Sequence, residues 1–429
     1  MLVAVLLITF VVLLLFGTPI AICLGSSSLI TMLVQGSGKP LDAVMAALPR
    51  IASASTSKFV LLAIPFFILG GNIMEKAGIS QKLISLAEDC VGHIKGGVAI
   101  VCVLVSCFFA AISGSGPATV AALGLIMIPA LIKAGYNPAF SAALMAAGGA
   151  IGVIIPPSIT FVVYGSIADA SIGTLFIAGV LPGLLMGAAL IVVALLIGRK
   201  YDLKVLSKVG WDVRLKAFKD AFWGLLMPVI ILGGIYGGIF TPTEAAAVSA
   251  VYGLFVGVFI YRTVKFKEMY SILVDSASTT AVVMFITAAA SLFAYILTRA
   301  RLDVAISSSL IDITGGNVIL FFLIVNLVLL IAGCFLDSTS ALFIFTPLFA
   351  PVAVAMDINM VHFGVVMVVN LAIGLITPPV GVNLFVACGI GNIDIKTISR
   401  AVIPLIIGAL VVLMMVTYIP QISLALISK

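Results

Sequence analysis

Two short polar segments, each set between apolar runs, carry residue types suited to binding an anion. They are Ser113-Gly114-Ser115-Gly116-Pro117-Ala118-Thr119, the first tip, and Asp337-Ser338-Thr339-Ser340, the second tip. Ser115 and Asp337 are favourable N-cap residues, so a helix is predicted to begin at each tip. A helix N-terminus presents unpaired N–H donors and roughly half a positive charge, which together attract anions. The alternative is that these hydroxyls only satisfy local backbone, as serine and threonine do in membrane helices.

Two double-proline segments have the chemistry of a cation site. They are Gly152-Val153-Ile154-Ile155-Pro156-Pro157-Ser158, the first break, and Gly374-Leu375-Ile376-Thr377-Pro378-Pro379-Val380-Gly381-Val382-Asn383, the second break. Adjacent prolines remove two N–H donors and free carbonyl oxygens one turn earlier. In a membrane those oxygens need a partner, and sodium accepts carbonyl and hydroxyl ligands such as Thr377. A proline kink repaired by hydroxyls or water is the alternative.

Asp337 is the only acidic residue in either tip. An ionisable side chain at membrane depth indicates function by default. Asp337 can help to hold a cation, face an amine or hydroxyl of a substrate, or cap its own helix. The sequence leaves these three roles open.

The composition identifies lipid as the solvent around these segments. Of 429 residues, 63% are hydrophobic and 9% are charged, whereas a soluble domain has roughly 25% charged residues. An all-α integral membrane protein is therefore predicted. Its ten full spans are expected near 2–16, 20–34, 59–75, 138–165, 170–198, 222–240, 244–261, 280–298, 360–390 and 401–423.

Two pairs of apolar arms are too short to cross a bilayer. They are 97–113 with 117–132, and 318–336 with 341–356. An arm of about 16 residues falls short of the ~30 Å hydrocarbon core at 1.5 Å per residue. Each pair is therefore predicted to form a re-entrant hairpin, over 97–132 and 318–356, with two ordinary spans and a short loop as the alternative.

The polar segments predict how the chain is oriented. Interfacial helices are expected near 40–57, 76–95 and 262–279, where Leu, Ile and Val alternate with charged residues. The basic linker 199–221 contains seven lysines and arginines and is predicted to be cytoplasmic, which makes both termini periplasmic. The net charge of +6 is read as this topological signal, so no nucleic-acid partner is implied.

The second half of the chain repeats the special residues of the first. Pro156-Pro157 and Pro378-Pro379 are 222 residues apart, and so are Gly152 and Gly374. Broken helices are thus predicted at 138–165 and 360–390. The first repeat is 1–198 and the second is 222–429, each with five spans, and an odd number of spans makes the second copy inverted. Inverted repeats with central broken helices are typical of secondary transporters.

Other chemistries find little support in the sequence. There is no Walker A motif, so an ATP-driven pump is not indicated. The Ser-Gly-Ser-Gly string of the first tip raises the alternative of an intramembrane serine protease, which needs a base beside its nucleophile. The two histidines, His93 and His362, are expected at membrane edges, away from Ser115.

Five strings distributed over nearly the whole chain resemble a known family. They are IPFFILGGNIMEKAGI (64–79), SGSGPATVAALG (113–124), GVIIPPSI (152–159), GIFTPTEAAAV (238–248) and GLITPPVGVNLF (374–385). In order and spacing they are similar to the large membrane subunit of tripartite ATP-independent periplasmic (TRAP) transporters. The Gly116-Pro117 pair departs from the small or hydroxyl residues expected in the first tip.

The resemblance implies an elevator-type importer in the bacterial inner membrane. Such proteins are sodium-driven symporters of organic acids, with sialic acid or a C4-dicarboxylate as the expected substrate. They receive it from a periplasmic substrate-binding protein and work with a small four-helix membrane subunit, expected here as a separate chain. A stand-alone carboxylate symporter without partner subunits is the alternative.

The resemblance and the repeat together also predict the binding residues. One sodium is expected between the first tip and the first break, held by Ser113, Gly152, Ile155 and Pro156. A second is expected at the equivalent place in the second repeat, held by Gly333, Gly374, Thr377 and Val380. The substrate is expected between them, near Ser115, Ser158, Asp337, Ser338 and Thr339.

Overall fold

The computed structural model describes residues 2–36, 40 and 44–427, and all regular structure within them is helical. The all-α class predicted from the composition is confirmed. In chain order the helices are α1 (Leu2–Leu15), α2 (Ile20–Gln35), α3 (Ala47–Thr56), α4 (Ala63–Lys76), α5 (Ile79–Val91), α6 (Gly97–Ser113), α7 (Gly116–Lys133), α8 (Pro138–Ala150), α9 (Ile159–Ala168), α10 (Ile172–Gly198), α11 (Trp211–Tyr236), α12 (Pro242–Phe255), α13 (Phe266–Arg299), α14 (Leu302–Thr314), α15 (Val318–Gly333), α16 (Ser338–Ala355), α17 (Met360–Gly374), α18 (Val382–Gly391), α19 (Ile395–Tyr418) and α20 (Pro420–Leu424).

Within the described part of the chain, eight helical stretches are long and apolar enough to cross a membrane. The shorter apolar helices include α1, α2, one arm of each hairpin and the halves of both broken helices. The chain is therefore a multi-pass membrane protein, as predicted. Since no bilayer is present, the re-entrant placement of the hairpins and the orientation of the termini stay predictions.

Each half of the chain contains a helical hairpin followed by an interrupted helix. In the first half α6 and α7 form the hairpin, and α8, a 3-10 turn (Ile151–Val153) and α9 form the broken helix. In the second half the corresponding pairs are α15 with α16 and α17 with α18. Nearly every residue of α8 and α17 is buried, so these two helices lie at the centre of the fold.

The ends of the broken helices repeat as closely as their prolines do. Asn137 and Asn359, 222 residues apart, cap α8 and α17 by accepting N–H groups of Ala139 and Val361, each at 2.9 Å. Asp169 and Asn392 follow α9 and α18, and both have a left-handed backbone, with φ of 53° and 49°. Matching caps in the two halves are what an internal repeat requires.

Several predicted boundaries differ from the observed ones. The segment 262–279 is not a separate interfacial helix, because α13 runs unbroken through it and the span 280–298. Its hydroxyls are satisfied inside the helix, as Thr280 donates to the carbonyl of Ser276 at 2.7 Å. Helix α11 begins at Trp211, inside the predicted linker 199–221, and α14 was not predicted. Of the predicted interfacial segment 40–57, residues 41–43 lie outside the described residues.

Candidate functional site

Both tips face one cavity of about 230 Å³. Ser113 and Ser115 line it from the first tip, and Asp337, Ser338 and Thr339 line it from the second. The outer helices α4 and α13 complete the wall. Segments more than 200 residues apart in the chain therefore meet here. Four of the five predicted substrate residues lie on the cavity: Ser115, Asp337, Ser338 and Thr339.

The first tip is a tight turn that presses on the first break. Gly114 has a φ of 63°, and a Cβ atom there would lie 2.7 Å from the carbonyl oxygen of Pro157. Only glycine meets both demands without strain. Ser115 then begins α7 with extended backbone, but its side chain makes no capping hydrogen bond, contrary to the prediction. Its hydroxyl is left to face the cavity.

The first break is completely buried and is stabilised partly by its own side chains. Ser158 is fully buried, donates its hydroxyl proton to the carbonyl of Val153 at 2.6 Å and caps α9. It is not among the residues that line the cavity, so the structure does not support its prediction as a substrate contact. The side chain of Ile155 packs against Gly183 of α10, so only its backbone could serve a cation.

The first predicted sodium set converges at one end. A Cβ atom on Gly152 would lie 2.9 Å from the carbonyl oxygen of Ser115 and 2.9 Å from the hydroxyl of Thr119. Gly152 lies four residues before Pro156, which has no N–H to donate to its carbonyl. Ser113, Gly152 and Pro156 thus belong to a compact tip-and-break contact that is rich in backbone oxygens.

The second tip combines a helix cap with a cavity wall. The carboxylate of Asp337 accepts the N–H of Ser340 at 3.1 Å and its hydroxyl proton at 2.5 Å. The predicted capping role is confirmed, and the same residue also lines the cavity. The buried hydroxyl of Ser338 has no hydrogen-bond partner among the described residues. An unpaired buried hydroxyl in a cavity wall is suited to binding a ligand.

The second break is more open than the first. Thr377, Pro378 and Val380 are half-buried and Pro379 is exposed. Thr377 donates its hydroxyl proton to the carbonyl of Ile373 at 2.7 Å, which leaves its oxygen lone pairs unused by the donor role. Gly333 and Gly374 are in direct backbone contact. Val380 is beside Gly381, whose N–H donates to the carbonyl of Cys334 at 3.3 Å.

The structure adds polar wall residues that the sequence analysis missed. They are Asn72 and Glu75 of α4, Thr160 of α9 and Thr279 of α13. Ile68, Asn72 and Glu75 follow one another at helical spacing, so a polar patch on one face of α4 was the available signal. The cavity wall contains two carboxylates, from Glu75 and Asp337, and no lysine, arginine or histidine among the described residues.

The histidines do not supply a base to Ser115. The ring of His362 lies 3.2 Å from the hydroxyl of Ser423 and 3.2 Å from the carbonyl oxygen of Thr417. Neither His362 nor His93 lines the cavity. The serine protease alternative therefore lacks the geometry that it needs.

Comparison with known proteins identifies close relatives. The profile of the family described as "Tripartite ATP-independent periplasmic transporter, DctM component" matches residues 7–422. The chain is 47% identical over 372 residues to the C4-dicarboxylate TRAP transporter large permease protein DctM of Pseudomonas aeruginosa, covering 87% of each chain. It is 40% identical over 368 residues to the sialic acid TRAP transporter large permease protein SiaM of Vibrio cholerae, covering 86% of each.

A third relative is longer than this chain. The isethionate TRAP transporter permease protein DctMQ of Oleidesulfovibrio alaskensis is 45% identical over 424 residues, which are 97% of this chain and 65% of that protein. Two solved structures share the fold at low identity. The YdaH transporter of Alcanivorax borkumensis has a TM-score of 0.64 at 14% identity, covering 88% of each chain. MtrF of Neisseria gonorrhoeae has a TM-score of 0.63 at 13% identity, covering 90% of this chain and 85% of that one.

Proposed function

The chain belongs to the DctM component family of tripartite ATP-independent periplasmic transporters, and from this premise we propose that it imports an organic anion together with sodium ions. The observation that carries the proposal is the single cavity shared by both tips. Helices α7 and α16 begin there, so both helix N-termini bring positive potential to a bound anion. The hydroxyls of Ser115, Ser338 and Thr339 supply neutral hydrogen bonds to it.

The charge of the cavity wall supports sodium coupling. Glu75 and Asp337 line a site without a basic residue among the described ones. An anionic substrate added to two carboxylates would be repelled, because like charges disfavour each other at short range. Cations bound at the two tip-and-break contacts would offset that repulsion. The sites need only neutral oxygens, which fits the absence of any cluster of three His, Cys, Asp or Glu within the described residues.

The same charge balance narrows the substrate class. A monoanion with hydroxyl groups, the chemistry shared by sialic acid and isethionate, suits this wall better than a dicarboxylate does. Transporters named for sialic acid, isethionate and C4-dicarboxylates are all among the relatives. The periplasmic binding protein that delivers the substrate would set the remaining selectivity.

An elevator movement is the transport mechanism that we propose. The tips and breaks pack together as one unit, and α4 and α13 border the cavity from outside. A Cβ atom on Gly71 of α4 would lie 3.2 Å from the carbonyl oxygen of Ile112, so α4 approaches the first hairpin without an intervening side chain. The cavity touches the last turn of α4, which is cytoplasmic in the proposed orientation. The unit would therefore have to move toward the periplasm to load.

Reconstitution tests this function. The chain would be placed in proteoliposomes in the inner-membrane orientation with the small four-helix subunit, and supplied with the binding protein and labelled sialic acid, isethionate or succinate. We expect uptake of one of these only with an inward sodium gradient and only with the binding protein present. Uptake driven equally well by choline would overturn sodium coupling. Sodium-driven uptake without either partner would instead establish the stand-alone symporter.

A further inference from the structure

Asn383 connects the second break to the first hairpin. It is the second residue of α18, and its backbone N–H donates to the carbonyl of Leu375 at 3.0 Å, which closes the break on itself. Its side chain is fully buried and donates from Nδ2 to the carbonyl of Ala146 in α8, at 3.1 Å. One amide from the second repeat therefore enters the core of the first.

The same side chain also touches the start of α7. A Cβ atom on Gly116 would lie 3.1 Å from Oδ1 and 3.2 Å from Nδ2 of Asn383, and 3.0 Å from a methyl group of Leu375. Gly116 is the first residue of α7, directly after Ser115. Two residues of the second break thus pack on the first tip, at a position that has no room for a side chain.

The Oδ1 atom of Asn383 is buried and has no hydrogen-bond partner among the described residues. It lies beside the first turn of α7, where backbone N–H groups lack partners within the helix. An unpaired acceptor therefore neighbours unpaired donors across the contact between tip and break. A small displacement of the tip would alter how well they pair, and both partners belong to candidate cation sites.

We propose that Asn383 is a positioning residue that couples the two candidate cation sites, so that sodium bound at the second break raises the affinity of the first. The inference rests on the proposed sodium-coupled function. A cation that orders the second break also orders Asn383 and Leu375, and these hold Gly116 and the first tip. Binding at either site then stabilises the other, because coupling between two sites is reciprocal.

The coupling is carried by one repeat only. The residue 222 positions before Asn383 is Phe161, and its ring packs against Gly179 of α10. A phenylalanine cannot make the amide contacts that Asn383 makes. The two sites are therefore linked through the second break, which is also the more open of the two.

Equilibrium binding of ²²Na⁺ to the purified permease complex tests the coupling. We expect the wild type to bind two ions per chain with a Hill coefficient above 1. Asn383→Ala should keep two ions, lower the Hill coefficient to about 1 and raise the half-saturating sodium concentration about tenfold, within the usual range for coupled sites. Gly116→Ala, which crowds Asn383 from the other side, should also lower the Hill coefficient and serves if Asn383→Ala does not fold.

Asn370→Ala is the matched control. Asn370 is also a fully buried amide with an unpaired Oδ1 among the described residues, but it bonds to Asn326 within the second repeat. Its variant should keep the wild-type Hill coefficient. An unchanged Hill coefficient in Asn383→Ala, or an equal loss in Asn370→Ala, would overturn the coupling while leaving sodium transport intact. A wild type that binds no sodium would instead overturn the proposed function itself.

Discussion

A Cβ atom placed on Gly374 would lie 2.6 Å from the Cα atom of Gly333. The last residue of α15 and the last residue of α17 are therefore in backbone contact, at the point where the second break begins. The sequence predicted both residues as parts of one cation site. Their contact brings the end of the second hairpin and the start of the second break into one place.

Gly374→Ala should separate these two helix ends. Overpacking of a tight contact costs about 1–3 kcal/mol, so the melting temperature in detergent should fall and sodium should stabilise the variant less. Gly389→Ala in α18 is the control, because nothing lies within 4 Å of its Cβ position. That variant should be neutral or slightly stabilised, since alanine favours helices. Wild-type stability of Gly374→Ala would contradict the predicted contact.

Asp337→Asn and Asp337→Ala separate charge from capping. The amide oxygen of asparagine can still accept the N–H of Ser340, whereas alanine loses the cap at a cost of about 1 kcal/mol. We expect both variants to lose most sodium-driven uptake, because the carboxylate lines the cavity, and only the alanine variant to melt earlier. Wild-type uptake by Asp337→Asn would reduce Asp337 to a helix cap.

Asp394→Asn is the control for that pair. Asp394 caps α19 by accepting the N–H of Thr397 at 2.9 Å and does not line the cavity. Hydrogen bonds from the side chain and backbone of Thr397 hold the pKa of Asp394 below its ordinary value, so its carboxylate is charged at neutral pH. Replacing this charge should leave uptake unchanged.

Thr377→Val should raise the sodium concentration that gives half-maximal uptake. Loss of one oxygen ligand to a charged group is expected to weaken binding about tenfold. Thr31→Val is the control, because Thr31 makes the same bond to a carbonyl one turn earlier, 2.7 Å to Ser27, inside α2. Stability should change similarly in both, and only Thr377→Val should shift the sodium dependence. An equal sodium dependence in the two would remove Thr377 from the site.

Cysteine labelling tests the predicted orientation. Cys90, in α5, is exposed and is predicted to be cytoplasmic, whereas the other five cysteines are buried or half-buried. A membrane-impermeant maleimide should therefore label Cys90 in lysed but not in intact spheroplasts. Ile239→Cys supplies the opposite case, since Ile239 is 71% exposed in the predicted periplasmic turn between α11 and α12. Labelling of Cys90 from outside would reverse the assigned topology.

Local features of the sequence predicted much of the site. Double prolines end a helix wherever they occur, and Ser, Asp and Gly favour helix ends, so both tips and both breaks were found from residue types alone. The low charged fraction likewise required a membrane protein. Their repetition at one spacing indicated which segments correspond. These inferences depend on residues close together in the chain, which is why they could be made without coordinates.

Packing between distant segments decided the rest. Asn72, Glu75 and Thr279 became wall residues only because α4 and α13 lie against the tips, and Ser158 was withdrawn into the first break by its bond to Val153. The bond from Asn383 to Ala146 joins residues 237 positions apart. Residue type says which groups can bind, but burial and distance say which of them are free to do so. For this protein the sequence determined the chemistry at the tips and breaks, and the tertiary structure determined which groups share one cavity.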